Sequence, residues 1–455
     1  MEKAEIVKMG INGEGIAYIH HKPVFIKGAF PKETAEFEIT EENERYTKAA
    51  ATKILTPSEE RRKPLCPHAE SCGACALSAM DHKAQCYWKK ELLIEALEKY
   101  GNVSRDLVRE VHSDHRERGY RTQCKMPVQT VDGKLVSGLY EAGTNHFQPI
   151  DHCIVQDETL EKTRLAILNI LSKAGFPAYN PKTKSGLRYI VVRTLNGRSQ
   201  CTLITGRDII KEEIIDKIMS IDGVTSLFQS INTMRNAIDI FGSACRKLAG
   251  EDYLTFNIDD ISISLSPRAF FQLNARQAEE LYRMAVNKID PCETLVEAYC
   301  GVGAMSLLAH TKAQNIIGIE SIEDAVKDAE YNAEQNNIEN AQFICADAAQ
   351  GLQTVLQERA VDTLLVDPPR SGMDDKMLET ILSSSIKKII YISCNPATLA
   401  KNLKVLKKDY QVVTVIPFDL FPDTPHIEAI AVLQRNGTFS KKKSRRRKYG
   451  RKKKA

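Results

Sequence analysis

The hydrophobic pattern of this chain changes period more than once. Residues 1–55 carry short strand-like runs, Ala4 to Lys8, Gly15 to Ile19, Pro23 to Ile26 and Ala35 to Ile39, broken by Gly10, Asn12-Gly13 and Gly28. Asn-Gly between such runs is a turn signal, and the pattern predicts a small β-barrel. Between 81 and 100 the period turns helical. Leu93, Leu97 and Tyr100 fall at i, i+4 and i+7, and Gly101 is the predicted stop. From about 118 to 265 strand-like and helical runs mix, as in an α+β domain. Beyond 275 the order is strand, helix, strand repeatedly, with strands at Leu295 to Ala298, Ile316 to Ile319, Gln342 to Cys345, Thr363 to Val366 and Ile389 to Ile392. Strands apolar on both faces belong to a mostly parallel sheet covered by helices. The chain therefore divides into 1–55, 56–265, a doubly wound α/β domain at 266–435 and a tail at 436–455.

Composition adds compartment and charge. The chain has 455 residues, 43% hydrophobic and 27% charged, ordinary for a soluble globular protein. It shows no apolar run of membrane-spanning length and no secretory signal, so a cytoplasmic protein is expected. Twelve cysteines in such a chain are ligands, nucleophiles or plain thiols rather than disulfides. The net charge of +4 conceals an asymmetry. Residues 441–455 hold eleven Lys or Arg and no acid, and without them 52 basic residues face 59 acidic ones, a balance of −7. A basic block of this kind favours polyanions. Interleaved basic and aromatic residues at Arg118 to Met126, Gly138 to Tyr140 and Arg188 to Arg193 suit contact with phosphates and unpaired bases.

Cys66-Pro-His-Ala-Glu-Ser-Cys72-Gly-Ala-Cys75 gathers three thiols in ten residues. Adjacent thiolates repel, and a metal relieves that by binding them. A tetrahedral site needs a fourth ligand. Cys153 is the best candidate and Cys86 its rival, and spacing alone does not separate zinc from an iron–sulfur cluster.

In the last domain, acids and a thiol fall at strand tips, where open α/β sheets bind ligands. Glu297-Ala-Tyr299-Cys-Gly301-Val-Gly303 follows the first strand, and the second ends in Glu320. The two glycines permit a tight turn and close approach of a ligand, and Glu320 suits ribose hydroxyls. Ser306 stands where a dinucleotide fingerprint has a third glycine, which favours a nucleoside without pyrophosphate, S-adenosylmethionine above all. Asp347 ends the third strand, and Asp367-Pro-Pro-Arg370 the fourth. Ile389 to Ile392 runs into Ser393-Cys394-Asn395-Pro396, where proline ends the strand and leaves Cys394 at its tip.

Met9-Gly-Ile-Asn-Gly-Glu-Gly-Ile16 with Val24-Phe-Ile-Lys-Gly28 resembles the TRAM domain, an RNA-binding barrel related to the OB-fold. Phe270-Phe-Gln-Leu-Asn274, Tyr299-Cys-Gly-Val-Gly303, Asp367-Pro-Pro-Arg-Ser-Gly372, Ser393-Cys-Asn-Pro-Ala-Thr-Leu399 and Phe421-Pro-Asp-Thr-Pro-His-Ile-Glu428 resemble the RNA 5-methyluridine methyltransferases, most closely those acting on uracil C5 of 23S rRNA. The resemblance covers residues 1 to about 435. It implies a TRAM barrel, a central domain with a [4Fe–4S] cluster on Cys66, Cys72, Cys75 and Cys153, and a methyltransferase domain. It implies that Gln272, Tyr299, Gly301, Gly303, Glu320 and Asp367 hold S-adenosyl-L-methionine, that Cys394 is the nucleophile and that Glu428 is the base. The implied partner is a single-stranded or loop uridine of 23S rRNA, met by a monomer. Ala304 departs from the pattern where several relatives have Asn. A tRNA substrate is the near alternative. A 5-methylcytosine enzyme usually has a second Cys where Arg370 stands, and a non-catalytic assembly factor would not need Cys394, Glu428 and Asp367 together.

Overall fold

The computed structural model describes residues 2–141, 144–235 and 239–437. The basic run 441–455 lies outside them. Six short strands open the chain, Glu2–Glu5, Lys8–Met9, Gly15–Ile19, Lys22–Lys27, Thr34–Glu42 and Thr47–Thr56. Counted one to six, they stand in the order 1-5-6-4-3-2. The two edge strands are joined through Ile6 and Val7 alone, and Val7 N bonds Ile16 O. One continuous run can supply both edges only if the sheet curls on itself. Ile6, Ala17, Val24, Ile26, Ala35, Phe37 and Ala49 fill its inside.

A seven-stranded sheet follows, in the spatial order Cys245–Gly250, Val224–Ile231, Arg198–Thr205, Leu187–Leu195, Gln123–Val131, Lys134–Tyr140 and Phe147–Pro149. Its single parallel pair, Arg198–Thr205 with Val224–Ile231, is joined through helix Glu212–Met219. That helix and Glu158–Lys173 cover one face, burying Leu160, Ile167, Leu171, Ile214 and Ile218 on Cys124, Ile190, Leu203 and Leu227.

The C-terminal sheet has strands β1 (Cys292–Ala298), β2 (Ala313–Glu320), β3 (Ala341–Cys345), β4 (Thr363–Val366), β5 (Lys388–Ser393), β6 (Tyr410–Phe418) and β7 (Glu428–Arg435). Its order is 3-2-1-4-5-7-6. β1 to β5 are parallel, and β7 is antiparallel to both β5 and β6. The sheet is mixed, with the expected parallel body and an antiparallel pair at one side. Helices α1 (Ala275–Asn287), α2 (Ala304–Leu308), α3 (Glu323–Gln335), α4 (Ala348–Glu358), α5 (Asp375–Ser383) and α6 (Pro396–Leu406) flank it. Alternation along each strand feeds two cores. Leu295, Ile316, Leu365 and Ile390 face one side, and Val296, Ile317, Leu364 and Ile389 the other. Among the described residues no helix is long and apolar enough to cross a membrane.

Packing crosses the boundaries drawn from sequence. The hairpin Leu254–Ile258 with Ile261–Leu265, placed at the end of the 56–265 segment, buries Leu254, Phe256, Ile263 and Leu265 in the C-terminal core. Helix His82–Ala96 buries Leu93 and Ile94, and the turn after it Leu97, on the other face of the same sheet. Helical turns continue past Ala96 to Gly101, and the stop is Asn102, left-handed at φ +52, not Gly101. Tyr100, read as part of the apolar stripe, is 39% exposed.

Asn332 of α3 ties the hairpin to the loop after β1. Ser264 N donates to its Oδ1 (2.8 Å), and its Nδ2 donates to the carbonyls of Ser264 (3.2 Å) and Val302 (3.1 Å). Removing a fully buried amide leaves those backbone groups unpaired. Asn332→Ala should lower unfolding stability by roughly 2–4 kcal/mol, read as a shifted urea midpoint with unchanged slope.

Candidate active site

Five strand ends share the carboxyl edge of the sheet. Tyr299 to Gly303 follow β1, Glu320 closes β2, Asp347 follows β3, Asp367 follows β4 and Cys394 follows β5. The register makes them neighbours: Ala298 pairs with Ile319 and Val366, and Val366 with Tyr391. β7 runs the opposite way, so its first residue, Glu428, starts at the same edge. Ser393 pairs with Ala429, which sets Cys394 beside Glu428.

The loop after β1 is shaped by sterics. Gly303, at φ +78, caps α2, and a Cβ there would lie 2.9 Å from the Phe343 ring. Tyr299 is also left-handed, at φ +64, a conformation that an aromatic residue adopts only when its surroundings enforce it. Glu320 is pinned under this loop. Its carboxylate accepts from Gly301 N (3.1 Å), Ser321 N (2.7 Å) and Ile322 N (3.0 Å). Asp347 accepts from Gln350 N (3.1 Å) and caps α4, so it serves as a helix cap as well as lying at the edge. Gln272 lies buried in the segment before α1. The central sheet grips that segment: Arg193 bonds the carbonyls of Ser266 and Ala269, and Thr122 N bonds that of Leu273 (2.7 Å).

On the reaction side, three acidic groups are held against their ordinary ionisation. Burial pushes the Cys394 thiol up to about 11, and Glu428 and Asp367 add to it, while Arg370 works the other way. Burial raises Glu428 to about 8, with Asp367 adding and Arg370 opposing. Asp367 rises to about 7 through burial. Asn395 builds the turn that presents the thiol. It caps α6 by accepting from Ala397 N (3.0 Å) and Thr398 N (3.5 Å), and its Nδ2 donates to Arg370 O (3.0 Å). Pro396 occupies the first turn of α6, where its missing N–H costs nothing.

Two residues were not singled out from sequence. Glu297 is fully buried in β1, accepts from the Ser306 hydroxyl, and burial raises it to about 8. Its sequence signal was an acid inside an apolar strand. Arg370 brings a cation to bear on both Cys394 and Glu428, and its Nη2 lies 3.3 Å from His426 Nδ1. It sat in a quoted motif without a role.

The five cysteines considered as metal ligands lie in two places. His68 Nε2 bonds Asp151 Oδ1 (2.6 Å) and clasps the 66–75 segment to the turn carrying Cys153. Gly73, at φ +66, lets the chain fold back after Cys72. Burial pushes the Cys75 thiol up to about 12, with Asp423 and then Cys153, Cys72 and Cys66 adding. Cys86 lies elsewhere, grouped with His82 and Asp419, whose ligand atoms fall within 4.8 Å of one another. Asp419 there already accepts from Lys89 Nζ (2.6 Å) and His82 Nε2 (2.7 Å). Burial disfavours the His82 imidazolium, yet Asp419 and Cys86 outweigh it and raise the ring to about 10. Two cations thus already face this one carboxylate.

A family model described as tRNA (Uracil-5-)-methyltransferase matches residues 250–436. An uncharacterized RNA methyltransferase of Bacillus anthracis is 36% identical over 438 residues, spanning 94% of this chain and 95% of its own length. An uncharacterized RNA methyltransferase of Listeria innocua is 35% identical over 442 residues, spanning 94% and 96%. The crystal structure of Pyrococcus abyssi tRNA (uracil-54, C5)-methyltransferase in complex with S-adenosyl-L-homocysteine superposes with a TM-score of 0.75 at 25% identity, over 95% of this chain and 99% of that one. With the Cys394–Glu428–Asp367 edge in place and relatives matching along nearly its whole length, this chain belongs to the RNA uracil-5 methyltransferase family.

Proposed function

We propose that this protein methylates uracil C5 in 23S rRNA through a covalent adduct of Cys394. The observation that carries the reaction is the meeting of a thiol and a buried carboxyl at one sheet edge, on strands of opposite direction. C5 of uracil is a weak nucleophile. Once its proton has passed to solvent, Cys394 adds at C6 as the thiolate, the C5–C6 electron pair moves into the ring as an enolate, and C5 gains carbanion character. S-adenosyl-L-methionine, when bound, supplies the electrophilic methyl. Gln272, Tyr299, Gly301, Gly303, Glu320 and Asp367 are the groups proposed to hold it. C5 takes the methyl, Glu428 removes the C5 proton, and the electron pair left behind expels Cys394. Asp367, held near 7, can present a proton to the ring as charge builds there. A base this deep in the protein requires the target uracil to leave any stack.

The four neighbouring thiols support a [4Fe–4S] site on Cys66, Cys72, Cys75 and Cys153, which would fix the 66–77 segment by closing it on Cys153. The curled six-stranded sheet supports the TRAM reading of residues 1–55, with RNA contact as its role. The choice of rRNA rests on the motifs. The Pyrococcus abyssi neighbour, a tRNA (uracil-54, C5)-methyltransferase, favours tRNA as the second reading. Mapping 5-methyluridine in 23S rRNA and tRNA from cells with and without the protein decides between them. Loss of a 23S site is expected, and loss confined to tRNA establishes the alternative.

Glu428→Gln should form the adduct and transfer methyl yet release product poorly, so a denaturant-stable protein–RNA species should build up. Cys394→Ala should give none. In the native enzyme, release should quicken about tenfold per pH unit up to about pH 8, where Glu428 is ionised, and the Gln variant should lose that slope. A Glu428→Gln variant that turns over normally would sink the base assignment.

Anaerobically purified protein should contain iron and sulfide in about a four-to-four ratio per chain. Cys153→Ser should lose them and Cys86→Ser should keep them. Zinc in their place would refute the cluster.

A further inference from the structure

The turn between β6 and β7 delivers Glu428 to the edge, and its anchors lie in distant parts of the chain. Asp423 is 1% exposed and left-handed at φ +65, which only surrounding contacts can enforce. Gln85 meets it twice. Gln85 Nε2 donates to Asp423 Oδ1 (2.8 Å), and Asp423 N donates to Gln85 Oε1 (2.8 Å). Arg62 Nη2 donates to the same Oδ1 (3.0 Å). Leu77 N, two residues beyond Cys75, donates to the Asp423 carbonyl (2.9 Å). Gln85 Nε2 also reaches the carbonyls of Leu77 (3.2 Å) and Met80 (2.9 Å), so one amide joins the turn to the cysteine-bearing segment. Leu77 and Met80 are buried in turn with Met9 and Phe30 of the N-terminal sheet. Upstream, Lys89 Nζ bonds the Phe421 carbonyl (3.0 Å) and the Tyr120 hydroxyl that of Pro422 (3.0 Å). Four residues separate Asp423 from Glu428, so a shift of this anchor is carried into the carboxyl.

We infer that Asp423, gripped by Gln85 and the segment following Cys75, is a positioning residue that sets Glu428 for proton removal from the adduct. The inference rests on reading Glu428 as the eliminating base. It gives the cysteine site a mechanical route to one step of the reaction. The donor contacts proposed on β1, β2 and β4 share none of these bonds. Gln272 lies two residues before Asn274, whose Nδ2 bonds the Leu420 carbonyl (2.9 Å), a bond in which neither Gln85 nor Asp423 takes part, so donor binding should hold when they are changed.

The test separates the steps in single turnover with Gln85→Ala and Asp423→Asn, the latter keeping an acceptor for Gln85. Gln85→Ala should bind S-adenosylmethionine and form adduct within about twofold of the native rates. It should release product about tenfold more slowly, the scale of one buried polar contact. Adduct should accumulate, and amide exchange over 424–430 should rise while iron content stays unchanged. Asp423→Asn should fall between the native protein and Gln85→Ala, and it decides the matter if Gln85→Ala does not fold. Equal slowing of adduct formation and release, or no slowing, overturns the inference. Glu428→Gln run beside them keeps the premises apart: if it traps adduct and the other two do not, the base reading stands and the positioning role falls. If Glu428→Gln traps nothing, the premise falls first.

Discussion

The direction of β7 is the constraint on which the site depends. Parallel strands bring only their carboxyl ends to the ligand edge of an α/β sheet. A residue that starts a strand can reach that edge only if the strand runs backward. β7 does so, inserted between β5 and β6, and the Ser393–Ala429 pair then fixes the thiol and the carboxyl at adjoining positions. Register errors move side chains to the opposite face, and both faces here are buried. The two groups are therefore held by the same burial that stabilises the sheet.

Burial also sets the chemistry. A carboxyl taken out of water favours its protonated form, and Asp367, Glu428 and Glu297 all feel this. Grouped acids raise one another further, as Asp367 does to Glu428. Arg370 is the opposing charge. It holds the turn after β5 through its carbonyl, which accepts from Asn395 and Thr398, so one residue links backbone geometry to charge. At the neighbouring strand end, three backbone amides donate to the Glu320 carboxylate and pin the loop after β1.

The regions of the chain are interlocked rather than strung together. The central sheet holds the segment bearing Gln272 through Arg193 and Thr122. The segment bearing Cys66, Cys72 and Cys75 holds the turn before Glu428. Helix His82–Ala96 packs on the C-terminal sheet while its Gln85 and Lys89 reach that same turn. The two sides meet where Asn274 Nδ2 bonds the Leu420 carbonyl, while Gln85 and Arg62 bear on Asp423 alone among the residues of that turn.

Much of this was legible from sequence because strand tips announce themselves. An apolar run that ends in Asp-Pro-Pro or in Ser-Cys-Asn-Pro can only leave its polar residue at an end, so Asp367 and Cys394 were placed by local chemistry alone. The glycines after β1 were likewise set by local sterics. Other features were not local. Glu428 needed the reversed strand, and the His68–Asp151 clasp ties the turn carrying Cys153 to the 66–75 segment. Hairpin 254–265 alternates like any other, and nothing in its residues says which core it will enter. Asp423 reads as an ordinary turn residue until Gln85, Arg62 and Leu77 close around it. The sequence by itself determined which residues end strands and which carry reactive groups, because φ restriction and periodicity act over a few residues. Only the tertiary structure decided which of them meet, and in which protonation state, because contact and burial are set by the whole packed chain.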